Sequence, residues 1–312
     1  MARLYHLPPD LIRGPESDVL PMAGEANWGV AKFKVDLLRQ ASNGGAGVIT
    51  GICDTGVDRT HPDLRNCVAA KDFTGSPIGA GDRNEHGTHV TGTVGATNPN
   101  IGMAPGCKTV HGKCLSDGGS GAGSWIAAAI RYCVYEQGAE IVSMSLGSSS
   151  EDRTITAAMQ EVSERNNVWC VCAAGNSGAG TPDVDWPGRS PWCVSVAALN
   201  LDLTPASFSS AGAKIDTSFA GVNIWSARPG GGYRQMSGTS MATPGVAGVL
   251  TLFRAGLKAA GRTIPTIAEL RKLLQSASTD TAAPGVDRRT GPGWVTPILL
   301  ALNLAPDPLP VG

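Results

Sequence analysis

Val48-Ile49-Thr50-Gly51-Ile52-Cys53-Asp54-Thr55-Gly56 is a short apolar, β-prone run that ends in a carboxylate and a turn. It reads as a buried strand with Asp54 at its C-terminal edge, the edge that carries sites in α/β sheets. Outward from it, short apolar runs alternate with helical ones. Strands are expected over 47–53, 107–114, 140–145, 168–173 and 192–197, and helices near 86–96 and over 124–137, 153–165 and 242–256. That alternation predicts an α/β fold with a mainly parallel central sheet.

Two further segments put chemistry at element ends. Glu85-His86-Gly87-Thr88-His89-Val90 opens a small-residue helical run, so His86 falls at a loop-to-helix junction. Gly238-Thr239-Ser240-Met241-Ala242-Thr243-Pro244 sets one serine between a Gly-rich turn and an apolar run in which Val246, Val249, Leu250 and Phe253 recur at helical spacing. The core of this helix reads as Thr243 to Leu252, with Pro244 tolerated in the first turn. Ser240 then projects from a helix N-terminus, where unpaired N–H groups and a positive dipole stabilise negative charge. A serine at such a place is also an ordinary cap. Joined to an Asp and a His at two other element ends, it completes the orienter, general base and nucleophile of acyl transfer.

The chain has 312 residues, 42% of them hydrophobic and 16% charged, which suits one domain with a sizeable core. With a net charge of −1 and no basic stripe, nucleic acid is not expected as a partner, and no apolar run approaches membrane-spanning length. Residues 1–22 hold no apolar h-region and no small-residue cleavage site, so no signal peptide is expected and the location is expected to be cytoplasmic. The eight cysteines fall mostly in expected core strands or helices and read as free buried thiols. The oligomeric state is open.

Asp54-Thr55-Gly56, His86-Gly87-Thr88-His89 and Gly238-Thr239-Ser240-Met241-Ala242, in that order, resemble the three motifs of subtilisin-like serine proteases. The resemblance runs from about Trp28 to about Leu302 and includes Ser143-Met144-Ser145-Leu146-Gly147 and Ala173-Ala174-Gly175-Asn176. It implies a three-layer α/β/α sandwich, a peptidase domain over residues 28–312, and serine endopeptidase activity on protein or peptide substrates. It also lifts Asn176 above an ordinary turn residue and makes its amide an oxyanion donor beside the N–H of Ser240. His89 is expected to be a structural neighbour of His86.

By the same resemblance one rim of the substrate groove is Gly119-Ser120-Gly121 and the other Ser145-Leu146-Gly147. Both are expected to take an extended peptide as an added strand. Ala173 to Gly175 line the S1 pocket, which receives the residue before the cut bond (P1), and Gly123 suggests an open S4 pocket. Asp185 aligns with the floor of S1, where broad-specificity relatives carry glycine, which implies a preference for Arg or Lys at P1. If the short loop between Asn176 and Asp185 shifts the alignment, Asp185 faces solvent instead.

Asp216 with the backbone carbonyls of Pro191 and Cys193 matches a structural calcium site of the family, and these oxygen donors suit a hard cation. Asp63 matches a ligand of a second site, whose remaining donors are lost with a shortened loop over Ala96 to Ala104. Asp72 and Asp82 read as solvated carboxylates. Residues 1–27 resemble the short extension of intracellular subtilisins, which lays a Pro-containing segment through the active site. Leu7-Pro8-Pro9 and Val19-Leu20-Pro21-Met22 are candidates, because proline fixes φ and lacks an N–H. A loose tail without function is the alternative, and a catalytically silent, peptide-binding protein is the rival to an enzyme.

Overall fold

A helix that follows a strand carries the chain back to the other edge of the sheet, so the next strand runs parallel to the first and successive strands deliver their C-terminal ends to one edge. The structure, a computed structural model, describes residues 4–7, 12–17 and 26–304. Its strands are β1 (Leu4–His6), β2 (Ile12–Ser17), β3 (Ile49–Asp54), β4 (Cys67–Asp72), β5 (Lys108–Lys113), β6 (Ser120–Ala122), β7 (Ile141–Met144), β8 (Trp169–Ala173), β9 (Cys193–Leu199), β10 (Thr217–Ala220), β11 (Ile224–Ala227), β12 (Tyr233–Ser237), β13 (Ser278–Thr279) and β14 (Trp294–Val295). The α-helices are α1 (Trp28–Lys32), α2 (Asp36–Ala41), α3 (His86–Gly95), α4 (Gly123–Arg131), α5 (Arg153–Asn166), α6 (Thr239–Ala259), α7 (Ile267–Ser276) and α8 (Pro297–Leu302).

Nine described strands form one sheet in the order β13-β14-β10-β9-β8-β7-β3-β5-β4. Every pair in it is parallel except β13 with β14. The α/β fold with a mainly parallel sheet expected from the alternation is therefore present. Period-two alternation sorts the side chains to its two faces. Along β8, Trp169 and Val171 enter the core shared with α3 and α6, whereas Cys170 and Cys172 enter the core shared with α4 and α5. Cys53 and Asp54 at the end of β3 diverge in the same way, which keeps the thiol in the α4–α5 layer.

Helix α6 is buried from Thr239 to Leu257, and its apolar residues suit an interior position. It begins earlier than its periodicity indicates, so Pro244 lies in the second turn and not the first. There the missing N–H leaves the carbonyl of Ser240 without its intrahelical donor. The hydroxyl of Ser145 takes that role, donating to Ser240 O at 2.8 Å. The expected helix 124–137 is α-helical to Arg131 and continues as a π-helix over Tyr132–Glu136. Among the described residues no helix is long and apolar enough to cross a membrane.

Candidate active site

Asp54 ends β3 with its carboxylate fully buried. Oδ1 accepts the N–H of Thr55 at 2.7 Å and lies 2.7 Å from Nδ1 of His86. A carboxylate there holds the imidazole proton on Nδ1 and leaves Nε2 as the acceptor. Nε2 is buried and has no hydrogen-bond partner among the described residues.

His86 reaches Asp54 because α3 starts at it. The preceding Glu85 turns the chain in the left-handed region, at φ 81°. Gly87 then brings the helix against the Asp54 turn so closely that a Cβ there would lie 2.1 Å from Gly56 O. Its N–H donates to Thr55 Oγ1 at 2.9 Å.

Asp82 departs from the sequence expectation. It is not solvated but buried, and it organises this junction. One of its oxygens accepts from Thr55 Oγ1 and from the N–H groups of Asn84 and Glu85, each at 3.0 Å. The other accepts the N–H of Thr88 at 2.8 Å and its hydroxyl at 2.7 Å. Burial pushes this carboxyl above its ordinary range, against the pull of the Thr88 bonds. Asp72, by contrast, closes its own turn by accepting from Thr74 and Ser76.

Two further groups escaped the sequence reading. Lys113 is fully buried and donates to the carbonyls of Thr55 and Gly81 and to Asp117. His111, also fully buried, accepts the Gly56 N–H on Nε2 at 3.1 Å, and its Nδ1 lies 3.2 Å from Thr91 Oγ1. Thr91 in turn donates to Gly87 O at 2.7 Å. His111 therefore ties the Asp54 turn to the first turn of α3. A polar residue one position from the apolar Val110 on an otherwise buried strand is the signal that could have found it. His89 donates from Nε2 toward the carbonyls of Ile224 and Arg234, at 2.9 and 3.1 Å, and staples α3 to the β11–β12 hairpin.

Ser240 is the second residue of α6, and its Oγ donates to Ser145 O at 3.4 Å. A direct bond to His86 Nε2 is not formed in this structure. Asn176, just beyond β8, accepts the N–H and the hydroxyl of Thr239 on Oδ1, at 2.9 and 2.8 Å. This fixes the amide so that Nδ2 is left buried without a partner among the described residues. An unpaired donor beside a helix N-terminus is a site for a developing oxyanion.

Ser240 and Asn176 open onto a cavity of about 160 Å³ walled by Leu146, Gly147, Ala173, Gly175 and Asp185. Gly175, at φ +104°, has no room for a side chain because a Cβ would meet Asp185 Oδ2 at 2.4 Å. Asp185 thus lies in the pocket that the resemblance calls S1, and burial raises its carboxyl while Arg189 opposes the rise. The space left by Gly123 is not open. A Cβ there would fall 1.9 Å from Asp152 Oδ2, so Asp152 fills the place of a wall residue.

Residues 4–7 lie between the two rims. Leu4, Tyr5 and His6 pair antiparallel with Ala122, Gly121 and Ser120, Leu7 N–H donates to Gly119 O at 2.8 Å, and His6 bridges Gly147 from the other side. Tyr5 is buried among Leu115, Ile126, Leu146 and Ile155. β2 pairs with β12, setting Ile12 opposite Ser237. Pro8-Pro9 and Val19-Leu20-Pro21-Met22 lie outside the described residues.

Residues 45–293 match the subtilase family. The chain belongs to that family. It is 37% identical over 242 residues to the M-protease of Shouchella clausii, covering 77% of this chain and 62% of that protein. To the intracellular serine protease of Paenibacillus polymyxa it is 39% identical over 221 residues, 67% of each chain. To subtilisin E of Bacillus subtilis it is 35% identical over 231 residues, 72% of this chain and 60% of that one. This subtilase therefore spans under two thirds of the length of two of these three relatives.

The expected calcium donors do not fit the ion. Of Asp216 and the carbonyls of Pro191 and Cys193, the first and last are already bonded to the ammonium of Lys214. Asp63 is likewise engaged, accepting the hydroxyl of Tyr233 at 2.5 Å.

Burial holds His89 and His111 down to about 3 and about 4 respectively. Each takes up a proton near 6.5 when unfolded but far lower when folded, so their contribution is present above about pH 6.5 and is lost as pH falls toward the folded values. Between pH 6.5 and 5 the loss is about 2 kcal/mol per histidine. Asp82 acts in the opposite sense, so the readout is a difference. Denaturant unfolding in a Ser240→Ala background is expected to show that His111→Gln is less stable at pH 7 but flatter with pH than its parent. Parallel pH curves for the two would contradict this.

Proposed function

We propose that this subtilase is a serine endopeptidase in which Ser240 is the nucleophile, His86 the general base and acid, Asp54 the orienter, and Asn176 with the Ser240 N–H the oxyanion site. The observation that carries the reading is the pair of unsatisfied buried atoms, His86 Nε2 and Asn176 Nδ2, each oriented by a partner on its other side. Ser240 Oγ attacks the peptide carbonyl as Nε2 accepts its proton. Nε2 then returns that proton to the leaving amine, and water repeats the sequence on the acyl-enzyme. The missing Ser240–His86 bond is compatible with this, because such bonds tighten when substrate enters. A silent peptide binder has no use for an oriented amide and an oriented imidazole together.

Substrate specificity follows from Asp185. A partly buried carboxylate in a pocket wants a cation, which supports Arg or Lys at P1 through a charge-assisted bond. Residues 1–27 act as an inhibitory strand in this reading, since the paired segment 4–7 uses the main-chain groups of both rims. Eight free buried thiols and the name of the Paenibacillus relative support an intracellular setting.

A fluorophosphonate probe is expected to label a variant starting at Ala26 faster than the full chain and to leave its Ser240→Ala form unlabelled. Equal labelling of the long and short chains would sink the inhibitory role. Asn176→Ala is expected to lower turnover by roughly 10²–10³, an effect size carried over from the family. In a P1 peptide library, Arg and Lys should lead at neutral pH and lose ground in Asp185→Gly. Because only the ionised carboxylate attracts them and burial raises Asp185, the preference should fade on acidification at a higher pH than an exposed carboxylate would give. Leu or Phe leading in both proteins would rule out this specificity.

A further inference from the structure

The residues matching a structural calcium site hold a cation of the protein's own. Lys214 Nζ lies 2.6 Å from Asp216 Oδ2 and donates to Cys193 O at 3.2 Å, which are two of the groups expected around the metal. Arg271 of α7 donates from Nε to the other oxygen, Oδ1, at 2.8 Å. The Ser195 N–H adds a bond to Oδ2 at 2.9 Å, and the Asp216 N–H returns one to Ser195 O at 3.0 Å. The lysine and aspartate side chains are only 15% and 8% exposed, so neither charge is left to bulk water. Calcium takes six to eight oxygens, and this carboxylate has spent three of its roughly four lone-pair positions. Two positive side chains on one carboxylate also oppose entry of a divalent ion.

We propose that Lys214 replaces calcium in this subtilase. Its ammonium joins the start of β9, where the chain leaves the Asp185 loop, to β10, while Arg271 adds α7 to the same carboxylate. A bound metal stabilises by an amount that grows with the logarithm of its free concentration and vanishes when the metal is removed, whereas a side chain is present under all conditions. The fold at this place is therefore independent of calcium, and a divalent ion binds only after Lys214 is removed.

The test is thermal melting of the full chain in a Ser240→Ala background, with a chelator or with millimolar calcium. The parent is expected to melt at one temperature in both. Lys214→Ala should melt several degrees lower in chelator. Lys214→Glu should regain several degrees on adding calcium, a gain lost when Asp216→Asn is added. Two results overturn the proposal. One is a parent whose melting temperature rises with calcium in a way that Asp216→Asn abolishes. The other is a Lys214→Ala variant as stable as the parent in chelator, with no calcium response in Lys214→Glu.

Discussion

One buried carboxylate, Asp82, sets the relation on which the candidate site depends. Asp54 and His86 come from different elements, and a bond of 2.7 Å between them requires the end of β3 and the start of α3 to be held in one position. Asp82 bonds Thr55 on the first side and the backbone of residues 84, 85 and 88 on the second. Its desolvation is costly, and burial raises its proton affinity, yet five donors converge on it. Hydrogen bonds to a charged group contribute about 1.5–3 kcal/mol each net. Losing Asp82 would leave the Thr88 N–H in the first turn of α3 without its acceptor and the Thr55 hydroxyl held only by Gly87, so its effect would reach the imidazole indirectly.

Ser240 is held by a different device. Pro244 removes the donor that would close the helix over Ser240 O, and the orphaned carbonyl then needs an outside partner. Ser145, from the rim beyond β7, supplies its hydroxyl to that carbonyl and its own carbonyl to Ser240 Oγ. Strand β7, helix α6 and the segment 145–147 are thereby joined at one residue. Thr239 does the same for β8 through Asn176, so the helix start that carries Ser240 also aims the amide. The Asn176 clamp uses an unpaired N–H of the helix N-terminus and the Ser145 clamp a carbonyl freed by Pro244, so the earlier start of α6 is more than a detail of boundaries.

Asp54, His86 and Ser240 are legible because each sits at an element end that local pattern marks, whereas Asn176 stands out from an ordinary turn residue only through the family resemblance. The groups that support them are not legible. Asp82 looks like any loop carboxylate in sequence, since its burial depends on Thr55, 27 residues away. Lys113 and His111 lie on β5 among small and apolar residues, and only the parallel pairing of β5 with β3 turns them toward the Asp54 turn. Strands β4, β10 and the β11–β12 hairpin lack a long apolar run; β4 is an edge strand with Val68 exposed, and β10 is built from small residues. Lys214 stands two residues from Asp216, but a motif compared only at its acidic position cannot show a cation occupying the metal's place.

The rims pose a constraint of their own. A groove that binds extended peptide by main-chain bonds has, when empty, the exposed donors and acceptors of an unpaired strand edge. Residues 4–7 satisfy them, with Tyr5 as a buried anchor. In the proposed reading the tail competes with substrate for those same groups, and it competes as part of the same chain. A tether converts association into an intramolecular step at an effective concentration in the millimolar range for a short linker, so weak strand pairing is enough for occupancy. Cutting the chain after residue 7 would remove that advantage without changing any contact, leaving a short peptide held only by its own affinity. Covalent continuity, more than the strength of the strand, is then what separates a closed groove from an open one.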